Sequence, residues 1–200
     1  MTAEIAFPTF GVVAERDELI LAWPEPHEFD LMTSLRNREA VRQWFLDRRP
    51  VDVAANRRWL VEGMRRREEG LLVIRLAATG DLMGTIGWTG YCPDRRTACF
   101  GRLMVDADKA ATLRKQGKWK GRSIALAAAL ILRDHAFSSM KLADLTTWYF
   151  RANRQAARIN AAVGMVIRRE GMRLGPDGRP IPTVELAITR QEWQAMVVST

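Results

Sequence analysis

Between Leu71 and Val105 the runs "LLVIRLA", "LMGTIGWTGY" and "TACFGRLMV" are parted only by the turns "ATGD" and "CPDRR". Connections that short allow only antiparallel hairpins, so the spacing predicts a three-strand meander. Close behind comes "SIALAAALILRDHAF", Ser123 to Phe137, apolar over most of its surface. A helix with so little polar face must be covered on several sides. A meander beside such a helix calls for a sheet with helices packed on it.

The flanking segments extend the pattern. "ELILAW" reads as a short strand stopped by "PEP", because proline cannot donate to a ladder. Helical spacing then runs from Glu28 through "REAVRQWF" and "AANRRWLVEGMRRREEG". It puts Trp44, Trp59, Leu60 and Met64 on inner faces, Gly70 at a C-cap and "RRREE" at a solvated helix end. Asp106 to Lys120 reads as a long loop. "LADLTTWYF" is a strand, and "NRQAARINAAVG" is a helix with Asn153 as N-cap and Gly164 as C-cap. "MVIRREGMRL" and "TVELAIT" are two strands joined by "GPDGRP", and "QEWQAMV" is a short last helix.

At 200 residues, with no repeat or Ser/Gly-rich linker, the chain reads as one domain over 1–200. No apolar run reaches the ~18 residues of a membrane helix. "MTAEIAFPTF" lacks the layout of a signal peptide. Two cysteines, Cys92 and Cys99, point to a reducing cytoplasm. The two histidines, His27 and His135, form no metal-ligand cluster, so no metal is expected. The net charge of +8 suits an anionic partner or plain solubility. No nucleic-acid-binding motif accompanies it, and no membrane partner is expected.

The loop "RKQGKWKGRS", Arg114 to Ser123, is cationic and runs into the apolar helix. A helix start exposes unpaired N–H groups and the positive end of a dipole, which together bind phosphate. Gly121 has no Cβ to keep a pyrophosphate away, and Lys118, Lys120 and Arg122 add attraction. Taken alone, such a loop reads first as a solvated turn.

The meander ending in "FGRLMV", the segment "GKWKGRSIALAAALILRDHAF", and "NRQAARINAAVGM" followed by "RREGMRL" together resemble the GNAT superfamily of acyl-CoA-dependent N-acyltransferases, over about Leu19 to Trp193. The resemblance implies an α/β (α+β) fold, with a mixed, mostly antiparallel sheet of about seven strands flanked by helices on both faces. It implies acetyl-CoA as donor and a small amine as acceptor, anionic if the surplus charge is a guide, on a monomer or homodimer. Lys118, Trp119, Lys120, Gly121, Arg122 and Ser123 stand in the register of the family's phosphate loop. Leu103, Met104 and Val105 would offer main-chain bonds to the pantetheine arm and polarise the thioester carbonyl. Asn153 either joins them or serves only as a cap.

The family's usual base and acid are missing: Cys99 stands where a glutamate is common, and Asn160 where a tyrosine is. Tyr149 becomes the candidate acid and Asn160 a donor to sulfur. Cys99 remains a nucleophile without an identified base. On the acceptor side the candidates are His27, Arg36, Asn37 and Trp88, with Arg38 and Arg42 as further contacts. "SLRNREAVRQWF" and "ITRQEW" resemble branches that act on nucleotide-linked amino sugars and on ribosomal-protein N-termini.

Overall fold

A computed structural model describes residues 11–16, 18–65 and 69–198. "MTAEIAFPTF", the side chain of Met64 and most of "RRREE" lie outside the described residues. Strands β1 (Val12–Arg16) and β2 (Leu19–Ala22) precede helices α1 (Phe29–Asn37), α2 (Glu39–Arg42) and α3 (Val53–Arg65). The meander is β3 (Gly70–Leu76), β4 (Leu82–Cys92) and β5 (Thr97–Val105). Helices α4 (Ala107–Lys115) and α5 (Ile124–Ser138) lead to β6 (Asp144–Phe150) and α6 (Arg154–Val163). The chain closes with β7 (Val166–Leu174), β8 (Pro180–Thr189) and α7 (Arg190–Val198).

The strands form one sheet in the order β1-β2-β3-β4-β5-β6-β8-β7. Every pairing is antiparallel except β5 with β6, whose connection through α4 and α5 is long enough for a crossover. The sheet has one strand more than the seven expected, because β1 pairs with β2 at its edge. β3 shows why a continuous apolar run suits a central strand. Leu72, Ile74 and Leu76 join the core beneath α5, while Leu71 and Val73 pack with Phe29, Met32 and Leu60 of α1 and α3 on the other face.

Three expectations need correction. Gly70 opens β3 instead of capping α3, and the Trp88 indole lies where a Cβ on it would stand. The segment after β5 is no loop: Asp106 accepts from Lys109 N–H and caps α4. Trp44 and Trp59 are substantially exposed, since the α2 and α3 region covers only part of the sheet. Leu60 is buried as expected. Among the described residues, no helix is long and apolar enough to cross a membrane.

Candidate active site

The site grows from a fault in the sheet. Thr97, Ala98 and Cys99 pair with Asp144, Leu145 and Thr146, and there the β5–β6 ladder stops. Thr147 Oγ1 donates to Phe100 O at 2.9 Å as a last link. Beyond it β5 stays on β4 as far as Val105–Gly84, and β6 stays on β8 as far as Phe150–Thr183. Each strand holds its outer neighbour while the inner edges part, leaving strand backbone open to a ligand.

A bulge in β5 helps drive the parting. Thr85 pairs with Met104 and Gly87 with Gly101, so β5 carries one extra residue between them. Arg102 takes it up at φ 54°, a left-handed conformation rare for arginine, and Thr85 Oγ1 holds its carbonyl at 3.0 Å. Backbone strain of this kind clusters at functional sites. Arg102 is in turn fixed by Glu69 at 3.0 Å and stacked 4.3 Å over Trp59.

At the C-terminal end of β5, Asp106 N–H bonds Met83 O, and its carboxylate takes both Arg38 Nη atoms at 2.9 Å. After α4 the chain reaches the start of α5. Among the described residues, no acceptor takes the backbone N–H groups of Gly121, Arg122, Ser123, Ile124 or Ala125. Ser123 Oγ caps only Leu126 N–H, at 3.2 Å. Lys118, Lys120 and Arg122 are exposed around these amides. Trp119 is not: its indole is 3% exposed, packs beneath Gly121 and donates to Arg122 O at 2.6 Å. It shapes the loop from inside, correcting its assignment as a ligand contact.

Near the split, Tyr149 is half-buried on β6 against the α5 core. Asn160 is 4% exposed on α6, and among the described residues none is shown bonding its carboxamide. Asn153 Oδ1 accepts from Ala156 N–H at 3.0 Å and caps α6. Cys99 faces away from α5, and burial pushes its thiol up from the usual value despite hydrogen bonds from Thr146 and Thr89. A thiol held protonated is a poor nucleophile.

The acetyltransferase (GNAT) domain family matches residues 18–166. The chain belongs to the GNAT acetyltransferase family. Among curated protein sequences none matches it. Similar solved structures include spermidine N-acetyltransferase from Vibrio cholerae in complex with CoA and spermine, with a TM-score of 0.74 at 14% identity, covering 90% of this chain and 99% of that one. A GNAT-family acetyltransferase from Bacillus anthracis gives 0.70 at 15% identity, covering 92% and 99%. At such identity the likeness shows the fold.

In this GNAT N-acetyltransferase the donor is acetyl-CoA, and the backbone fits it: freed amides at α5 suit the diphosphate, and the open edge of β5 suits the arm. The acceptor residues divide. Arg36 lines a cavity of about 70 Å³ with Arg102 and Met104, at the bulge. Asn37 is committed to the main chain, with Nδ2 on Val51 O at 2.9 Å and Oδ1 on Val51 N–H at 2.7 Å. It positions the chain before α3 and has little left for a substrate. His27 sits beside Glu25 in the turn before α1, at the opposite end of that helix from Arg36. Trp88 is 8% exposed in the α5-side core, T-stacked on Trp23 and laid over Gly70, away from the acceptor face. Arg38 and Arg42 are held by Asp106 and Arg48 O.

On the sheet face away from α5, a cleft of about 670 Å³ is lined by Thr97, Cys99, Thr146, Ala187 and Thr189. Sequence reasoning missed the Arg102–Glu69 pair at the bulge. A signal for the bulge existed: Gly101 followed by a charged residue inside an otherwise apolar strand.

Proposed function

We propose that the whole chain is one acyltransferase domain that moves acetyl from acetyl-CoA onto the primary amine of a small acceptor carrying negative charge. An amino sugar, free or nucleotide-linked, is the class we place first. Supporting this is the cationic surrounding of Cys99, whose thiol feels both Arg173 and Arg102. Two carboxylates near it are occupied, Glu69 by Arg102 and Glu185 by Arg169 and Arg173, which leaves Asp144 as a cleft carboxylate with no ion pair among the described residues. A polycation such as spermidine would meet guanidinium groups there.

In the proposed reaction, the diphosphate rests on the amides of Gly121 to Ala125, flanked by Lys118, Lys120 and Arg122. The arm lies along Leu103, Met104 and Val105, with Asn153 near its path. A neutral amine attacks the thioester carbonyl, a C–N bond forms, and the oxygen's developing charge is met by main-chain N–H groups of β5. One such donor contributes about 10²–10³ in rate. The C–S bond then breaks, Asn160 donates a hydrogen bond to the leaving sulfur, and Tyr149 supplies its proton, directly or through water. The proton shed by nitrogen passes to water in the open cleft. Cys99 forms no acyl intermediate; its thiol is a neutral wall.

The test is thiol release from acetyl-CoA across free and nucleotide-linked amino sugars, peptides with free N-termini, and spermidine. Turnover of anion-bearing amines above spermidine is expected, and spermidine as best acceptor would overturn the reading. The second reading, a protein N-terminal amine, draws on the size and openness of the 670 Å³ cleft; in that case peptides would lead the panel.

A further inference from the structure

The cavity between α1, α3 and β5 contains a donor with nothing to bond. Arg36 is fixed: its Nη2 donates to Asp47 O at 2.7 Å and its guanidinium lies 3.6 Å from the Phe45 ring centre. Its Nη1 is buried, and no described residue accepts from it. A buried N–H left unpaired is costly, more so when charged, so the arrangement calls for an acceptor from outside. Arg102 lines the same cavity. Burial pushes both guanidinium groups below their usual value, as expected of cations lacking a full share of countercharge. Among the described residues Glu69 pairs with Arg102, and the Asp47 carboxylate is bonded by Arg49 while also attracting Arg36. Three guanidinium groups thus meet two described carboxylates here.

We propose that this cavity is the acceptor's anion subsite, in which Arg36 and Arg102 hold a terminal carboxylate. The proposal rests on the anion-bearing acceptor inferred above and narrows it. A cavity of about 70 Å³ suits the end of a molecule better than a diphosphate with chain continuing on both sides. The remaining walls include Met32, Leu60, Leu71 and Met104, which suit a planar monoanion better than a dianionic phosphate with three oxygens to satisfy. Arg102 and Met104 stand on either side of Leu103 in the strand that receives the thioester, so an amine one short spacer away from the carboxylate reaches the carbonyl. Arg36 and Arg102 thereby act as a ruler as well as an anchor. Among amino sugars this favours those bearing a carboxylate; simple ω-amino acids share the same chemistry.

The test uses the full chain with acetyl-CoA and ω-amino carboxylates of increasing length, each beside its carboxamide and the matching phosphonate. The best carboxylate is expected to exceed its carboxamide and phosphonate about tenfold or more in kcat/KM, the worth of a charged hydrogen bond. Arg36→Met should remove that preference through KM and be partly rescued by Arg36→Lys. Equal use of carboxylate and carboxamide by the unaltered protein, a preference surviving in Arg36→Met, or a phosphonate in first place overturns the carboxylate site. Acetylation of neutral or cationic amines alone instead removes the anionic-acceptor reading on which it rests. Melting of the CoA complex gives an arm free of turnover: millimolar carboxylate should raise Tm more than its carboxamide, and an equal rise overturns the proposal.

Discussion

Thr147 and Phe100 mark where the sheet opens: the threonine hydroxyl on β6 donates to the phenylalanine carbonyl on β5 at 2.9 Å, and past that bond the two strands share no ladder. Thr147 is 6% exposed, so losing the hydroxyl leaves a buried carbonyl short of a partner. Thr147→Val should lower stability by about 1–3 kcal/mol. It should also weaken CoA binding several-fold by letting the split gape. Denaturant melts and calorimetric titration check the pair, and unchanged affinity would separate this link from the arm's site.

Gly121 has two roles that substitutions can pull apart. A Cβ there would stand 3.3 Å from the Trp119 ring, so Gly121→Ala should be tolerated after a small shift of the indole. Gly121→Glu brings a carboxylate to amides proposed to hold a diphosphate. CoA affinity should fall by at least two orders of magnitude, while the circular dichroism spectrum stays unchanged.

The two thiols should differ in reactivity. Hydrogen bonding from Arg95 pulls Cys92 below the ordinary thiol value, whereas burial pushes Cys99 above it. Near pH 7.5 Cys92 holds the larger thiolate fraction and should alkylate first, with Cys99 following only as pH rises. Peptide mass mapping over a time course of iodoacetamide gives the order. Cys99→Ser should retain acetyl transfer, because no acyl-thiol is formed.

Asp106 ties α1 to the end of β5 through Arg38, whose hydrogen bonds hold its carboxyl below the usual carboxylate range. A depressed folded value means the stabilisation is fully present above the unfolded value near 4 and fades as pH falls through the lower folded value. Asp106→Asn should therefore be less stable at pH 7 and should lose less of its stability between pH 5 and pH 3. Chemical denaturation at stepped pH reads both slopes.

Much of the fold could be read because period and turn chemistry agreed. β3, β4 and β5 follow their apolar runs, and Asn153 and Gly164 cap α6 as their residue types suggest, with Gly164 at φ 90°. Helix α4 was hidden by its mostly polar, exposed surface, whose apolar contact is limited to Ala110 and Leu113; Asp106 as N-cap gave the other sign. The phosphate loop was legible since glycine and cations sit directly before an apolar helix. The acceptor side was not, because its pieces come from α1, α3 and β5, far apart in sequence. Asn37 and Trp88 looked polar or aromatic enough for substrate, yet Val51 and Gly70 are what they meet.

Main-chain amides are the proposed hold on CoA, and amide chemical shifts report on them directly. In ¹⁵N-labelled protein titrated with CoA, the resonances of Gly121 to Ala125 should move downfield and saturate together with those of Leu103 to Val105. Binding that leaves both groups unmoved, or an absence of binding at millimolar CoA, would contradict the account.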